Sequence, residues 1–113
     1  MDCANGACYK VSPDVFTELG AEIIPIGVTP DGYNINAKCG STYPELVKEE
    51  VLKQRADFGI SLDGDGDRVI LIDEKGDVLK GEELIFIFAN YYLKNKSLRK
   101  KRIQLEIKKI VFF

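Results

Sequence analysis

The 113-residue sequence contains no histidine. Within this chain, that excludes any mechanism needing an imidazole base or a histidine ligand to a metal. Cysteine is scarce. Cys3, Cys8 and Cys39 are odd in number and include no Cys-x-x-Cys pair, so neither a disulfide framework nor a zinc site is expected. Free thiols in a reducing cytosol are the expectation, and with them a cytoplasmic location. No apolar run approaches the roughly 20 residues that a membrane span requires. Met1-Asp2-Cys3 shows neither the basic nor the apolar region of a secretory signal. An excess of one charge is missing too: the formal net charge is -2, which gives no reason to expect nucleic acid. The basic cluster Lys94, Lys96, Arg99, Lys100, Lys101 and Arg102 reads as a solvated surface. No nucleic acid and no membrane are expected as partners, and the chain has no internal repeat or low-complexity segment.

The remaining composition is that of one folded domain, with 45% hydrophobic residues. Helical and strand patterns alternate along it. Ser12-Pro13 predicts a short helix to Leu19, with Ser12 as N-cap and Gly20 closing it. Glu22 to Ile26 reads as a strand whose internal Pro25 favours an edge. A long polar loop, Gly27 to Gly40, follows. Thr42-Tyr43-Pro44-Glu45 has the spacing of a capping box. It opens a helix to about Gln54 that buries Leu46, Val47, Val51 and Leu52. Phe58 to Leu62 and Val69 to Ile72 read as strands, and Glu74-Lys75-Gly76-Asp77 turns the second into Val78-Leu79 as a hairpin. From Gly81 to about Leu93 a helix is expected, apolar enough at Leu84 to Ala89 for burial on more than one side. The tail, residues 103–113, alternates and then becomes continuously apolar, and it is a candidate strand.

Asp63-Gly64-Asp65-Gly66-Asp67-Arg68 is the most informative stretch. Three carboxylates at alternate positions would repel one another unless a divalent cation neutralised them. Hard oxygen donors suit Mg²⁺, Ca²⁺ or Mn²⁺. Arg68 adds a planar fork that grips phosphate. A plain Asp-Gly turn accounts poorly for three aspartates. An EF-hand would place Asp63, Asp65, Asp67 and Glu74 at positions 1, 3, 5 and 12, but Arg68 stands where that loop needs glycine, and the flanks read as strands. A phosphatase of the haloacid dehalogenase type would need further motifs downstream that are not evident. The loop follows a strand, at the carboxyl end where open α/β sheets bind ligands.

With the loop so placed, the sequence resembles the α-D-phosphohexomutase superfamily, whose metal loop reads D-G-D-G-D-R. Within it, the sequence looks most like the bacterial phosphoglucosamine mutase branch. Asp2-Cys3-Ala4-Asn5-Gly6-Ala7, Glu18-Leu19-Gly20-Ala21, Asn34-Ile35-Asn36 with Cys39-Gly40-Ser41, and Arg55-Ala56-Asp57-Phe58-Gly59-Ile60 carry the likeness, from roughly Asp2 to Leu93. The resemblance implies the second of four domains, and a fold class of α/β: a three-layer α/β/α domain with a mixed sheet of about four strands. It implies that Asp63, Asp65 and Asp67 hold one Mg²⁺, completed by a phosphoserine from the first domain. Arg68, the candidate catalytic residue, would lean toward that phosphoserine; a salt bridge to one of the aspartates is its other reading. Asn5, Asn34 and Asn36 read as loop-shaping. The implied reaction converts glucosamine 6-phosphate to glucosamine 1-phosphate, on the path to cell-wall precursors. The implied partners are the phosphosugar substrate and the remaining mutase domains.

The serine, sugar-binding and phosphate-binding loops of such enzymes have no counterpart here. The expectation is therefore a truncated, frameshifted or excised piece, inactive alone: residues 1–102 as the second domain with its first strand shortened, then a non-family tail at 103–113. A phosphoglucomutase or phosphomannomutase domain, a stand-alone divalent-cation module and a small phosphatase are the alternatives.

Overall fold

The computed structural model describes residues Met1 to Asn95. The tail with its candidate strand, and the basic cluster from Lys96 on, lie outside the described residues. The chain divides into two compact units, Met1–Val78 and a second from Leu79 on. In order, the elements are α1 (Val11–Glu18), α2 (Glu45–Gln54), β1 (Phe58–Leu62), β2 (Val69–Asp73) and α3 (Gly81–Lys94).

In the first unit, β1 and β2 pair antiparallel, from Phe58 opposite Asp73 to Leu62 opposite Val69. The acidic stretch is thus the connection of a hairpin. On its other side β1 meets Asp2, which makes single parallel bridges to both Ser61 and Ile26, and Val78 makes a single antiparallel bridge to Ile72 beyond β2. The isolated bridges include both parallel and antiparallel ones. Among the described residues the expected mixed sheet of four strands is not formed: two antiparallel strands are of ladder length, and Asp2, Ile26 and Val78 flank them as single bridges. Glu22 to Ile26 does not form a strand of ladder length. Pro25 has no N–H to give, and the Met1–Cys3 segment bonds only its end: Met1 donates to the Ile24 carbonyl (2.8 Å), Ile26 donates to Met1 (2.8 Å) and Cys3 donates to the Ile26 carbonyl (2.9 Å).

The core lies where α2 rests on the strands. Val47 and Val51, one turn apart, are buried with Ile72, and Ile26, Ala56 and Ile70 pack around them. Gly59 permits this approach: a Cβ there would lie 2.5 Å from Val47 Cγ1. Leu52, expected in the core, is 56% exposed, since it lies off the Val47–Val51 stripe. The Thr42–Glu45 capping box does not form. Pro44 already has helical dihedrals and takes the N-cap, with no side-chain cap bond. Arg55 in the left-handed region ends α2, with Ala56 N–H donating to the Val51 carbonyl at 3.0 Å.

Helix α1 starts one residue before Ser12, with Lys10 as N-cap, because the chain already turns helically at Cys8, whose carbonyl accepts from Ser12 N–H at 3.2 Å. Gly20, at φ +92°, closes it as expected. Taken by itself, α3 runs as expected, its first turn fixed by the Glu83 carboxylate accepting from Lys80 N–H at 2.7 Å. None of its residues is buried, contrary to the expectation of burial on several sides.

Ile72 is fully buried at the centre of the core. Ile72→Ala is expected to lower stability by about 3 kcal/mol, the usual cost of emptying such a site. Urea unfolding checks this, with the midpoint falling and the slope unchanged.

Candidate metal centre

The loop from Asp63 to Arg68 is closed at its base. Asp63 N–H donates to the Arg68 carbonyl at 3.3 Å, and Gly66 N–H donates to the Asp63 carbonyl at 3.2 Å. Arg68 N–H in turn donates to Asp63 Oδ1 at 3.1 Å. Two glycines make the loop possible for different reasons. Gly66 has φ +77°, where other residues are strained. Gly64 is pressed against neighbouring backbone and side chains: a Cβ on it would sit 2.6 Å from Ile35 Cδ1.

This folding brings the three aspartates together. Asp63, Asp65 and Asp67 each offer a carboxylate oxygen, and the three oxygens lie within 4.8 Å of one another. Asp63 is half-buried at the root of the loop, while Asp65 and Asp67 are exposed. The donors are all hard oxygens, as Mg²⁺, Mn²⁺ or Ca²⁺ require, and the open side leaves room for water or a further anionic ligand.

The electrostatics carry the mark of crowding. Partial burial works against the charge on Asp63, but the Arg68 N–H and hydrogen bonding with Asp67 and Asp65 outweigh it and hold the pKa below the ordinary value. Asp67 is the counterpart. Its hydrogen bond with Asp63, then desolvation and the charges of Asp65 and Asp63, push its pKa up. A proton on the cluster therefore favours Asp67.

Arg68 lies beside the cluster, its side chain 68% exposed, with Nε 3.9 Å from both Asp63 Oδ2 and Asp67 Oδ1. These are long, solvent-screened pairs, and the guanidinium keeps most of its donors for another anion.

The asparagines work within their loops. Asn5 Oδ1 accepts from Thr29 N–H at 3.1 Å, and Asn34 Nδ2 donates to the Thr29 carbonyl at 3.0 Å. Asn36 has φ +56°, and its N–H donates to the Ala4 carbonyl at 2.9 Å. The cysteines are free thiols, and burial, ahead of the nearby Asp2 charge, pushes Cys3 up to about 11. A thiol so held stays protonated and unreactive.

Sequence reasoning missed Asp2. Its carboxylate is fully buried, with Oδ1 accepting from Ala4 N–H at 2.8 Å and Oδ2 from Gly40 N–H at 2.6 Å. No periodicity marks it, because both partners are backbone groups and one is 38 residues away.

Among the described residues no helix is long and apolar enough to cross a membrane. Residues 1–76 match the model of the family described as phosphoglucomutase/phosphomannomutase, alpha/beta/alpha domain II. The chain is 58% identical over 89 residues to the phosphoglucosamine mutase of Legionella pneumophila (strain Corby), an alignment covering 79% of this chain and 20% of that protein. It is 55% identical over 103 residues to the phosphoglucosamine mutase of Pelobacter propionicus, covering 91% of this chain and 23% of that protein. The Bradyrhizobium diazoefficiens protein of the same name is 52% identical over 103 residues, with the same shares of 91% and 23%. The chain thus spans about a fifth of the length of these relatives. The expected likeness to a second domain of this superfamily is borne out.

Proposed function

This chain belongs to the phosphoglucomutase/phosphomannomutase family, matching its α/β/α domain II, and from that premise we propose that it is the Mg²⁺-binding domain of a phosphoglucosamine mutase and does not turn over substrate alone. One observation carries the metal assignment: three carboxylate oxygens from alternate residues converge within 4.8 Å in a loop tied shut at its base. The glucosamine branch is supported by the names of the relatives; a phosphoglucomutase or phosphomannomutase is the alternative within the same family.

In this reading Asp63, Asp65 and Asp67 hold the ion. Bound Mg²⁺ supplies Lewis-acid polarisation of a phosphoryl group and neutralises its charge. The chain's own residues do the rest of the local work. Asp63 fixes the ligand set through its bond from Arg68 N–H. Arg68, its guanidinium largely in solvent, turns toward the transferring phosphate and stabilises its charge. The phosphoserine and the groups selecting glucosamine 6-phosphate over other sugars come from the other domains, acting in the cytoplasm. The chain's share of about a fifth of its relatives' length supports that division of labour.

Calorimetric titration of the full chain with Mn²⁺ is the test. Binding near ~1 mM is expected for an open carboxylate site without a fourth anionic ligand. It should weaken as pH falls through the raised pKa of Asp67, because there the proton competes with the cation. Micromolar affinity, or affinity independent of pH, would contradict this. Formation of glucosamine 1-phosphate by this chain alone would overturn its dependence on other domains.

A further inference from the structure

We propose that Asp2 is a positioning residue for the metal loop: its buried carboxylate ties the Asp2–Cys8 turn to the Gly40 segment at the end of β1, and that turn, with the Ile35 and Asn36 side chains, packs against Gly64 between Asp63 and Asp65. The inference rests on the metal-binding reading above and names what sets the geometry of that site.

The chain of contacts is continuous. Asp2 docks on the last residues of β1, its N–H donating to the Ile60 carbonyl at 2.8 Å and its carbonyl accepting from Leu62 N–H at 2.9 Å. Its two carboxylate oxygens accept from Ala4 and Gly40 N–H. Among the described residues no lysine or arginine pairs with it. Its carboxylate is bound by two backbone N–H groups, with the Met1 ammonium as a further favourable charge, and burying it is costly. The turn that it holds reaches the metal loop directly. Ala7 N–H donates to the Gly64 carbonyl at 2.8 Å. Gly6 lies against Gly64 so closely that a Cβ on it would fall 2.2 Å from the Gly64 oxygen and 2.6 Å from its Cα.

The Gly40 segment is tied to the end of β1, one residue before the metal loop. Gly40 sits where a Cβ would meet Ala4 Cβ at 2.7 Å and the Leu62 carbonyl at 2.8 Å, and Ser41 N–H donates to that same carbonyl at 2.9 Å. Asn36, tied to Ala4 by backbone, places Nδ2 2.8 Å from where a Gly64 Cβ would stand. Gly64 is thus packed between Gly6, Ile35 and Asn36, and the Asp63 and Asp65 carboxylates on either side of it are spaced by this packing. Mg²⁺ and Mn²⁺ tolerate little error in ligand placement, and groups behind the ligands commonly change affinity by about 10–100-fold.

The test is Asp2→Asn in the full chain, with free Mn²⁺ followed by electron paramagnetic resonance and stability by urea unfolding. The amide of Asn must present N–H to one of the two backbone donors, so one tie is lost. Mn²⁺ affinity is expected to fall by about tenfold or more, and the Gly64 and Gly66 amide resonances of the metal-free chain to move. Val51→Ala is the control: it loosens the core but should leave Mn²⁺ affinity unchanged. Gly6→Ala keeps both Asp2 bonds and pushes only on Gly64; it should lose affinity too, and it decides the matter if Asp2→Asn does not fold. Wild-type affinity in folded Asp2→Asn and Gly6→Ala would overturn the proposal, as would an equal loss in Val51→Ala at matched stability. If the parent chain binds no Mn²⁺, the metal reading fails instead. The amide resonances then still decide positioning: unmoved signals in both variants overturn it, and moved signals sustain it.

Discussion

Asp63→Asn is expected to remove divalent-cation binding from the loop while leaving the fold nearly as stable as before. Asp63 is the half-buried member of the cluster, oriented by Arg68 N–H at 3.1 Å, whereas Asp65 and Asp67 stand in solvent. It is the ligand that the fold holds most directly. Losing its charge leaves two exposed carboxylates, and from a starting affinity of about 1 mM any tenfold loss takes binding below detection. Stability behaves differently because two shifts oppose each other. The lowered pKa of Asp63 means that its charged form favours the fold above its unfolded pKa, a contribution lost as pH falls through the folded value. The raised pKa of Asp67 has the reverse sign: its charged form is disfavoured in the fold, and that penalty disappears in acid. Asparagine at 63 removes the first effect and the largest cause of the second, leaving desolvation and the Asp65 charge at Asp67, and keeps an oxygen for Arg68 N–H. Mn²⁺ titration and urea unfolding on the same sample check the pair of outcomes. Retained binding would show that the cation is not held by these carboxylates.

The metal loop was legible in the sequence because everything that builds it is local. Alternating aspartates, a glycine for the turn at Gly66 and a strand on either side all lie within fifteen residues of one another by number, and β1, β2 and α2 form where their patterns place them. What was not legible depends on distant backbone. Glu22 to Ile26 has strand composition but pairs only at Ile26, because pairing is decided by what lies beside it, and there Met1 to Cys3 offer a single bridge. The Thr42–Glu45 spacing matches a capping box, but α2 begins at Glu45 with Pro44 as N-cap, two residues later than a Thr42 cap requires. Asp2 and Gly6 read as parts of a recognisable turn, while their mechanical role arises from Gly40 and Gly64, which no periodicity connects to them.

Gly59→Val is expected to take away much of the first unit's stability, although strand propensity argues for the opposite. Phe58-Gly59-Ile60-Ser61-Leu62 is a strand in which glycine is the poorest strand former, and valine among the best. On propensity alone the substitution should stabilise. Packing reverses the sign. Helix α2 lies directly over Gly59, so the first carbon of any side chain there meets Val47 Cγ1 at 2.5 Å, Val51 Cγ2 at 2.8 Å and Ile72 Cβ at 3.4 Å. All three neighbours are buried core residues, and none is the free end of a flexible side chain. Valine adds two methyl groups beyond that point, so α2 must lift off the sheet. Overpacking of this kind costs about 1–3 kcal/mol or more, against a total of roughly 5 kcal/mol for a small domain. Circular dichroism and urea unfolding should show a chain that still folds at ambient temperature but whose midpoint has fallen to low urea. The complementary change, Val47→Ala together with Gly59→Ala, should recover part of the loss from Gly59→Ala alone, because the added methyl then enters space that Val47 has vacated. A Gly59→Val chain more stable than the parent would mean that α2 does not rest on this glycine, and that propensity, not helix–sheet contact, governs β1.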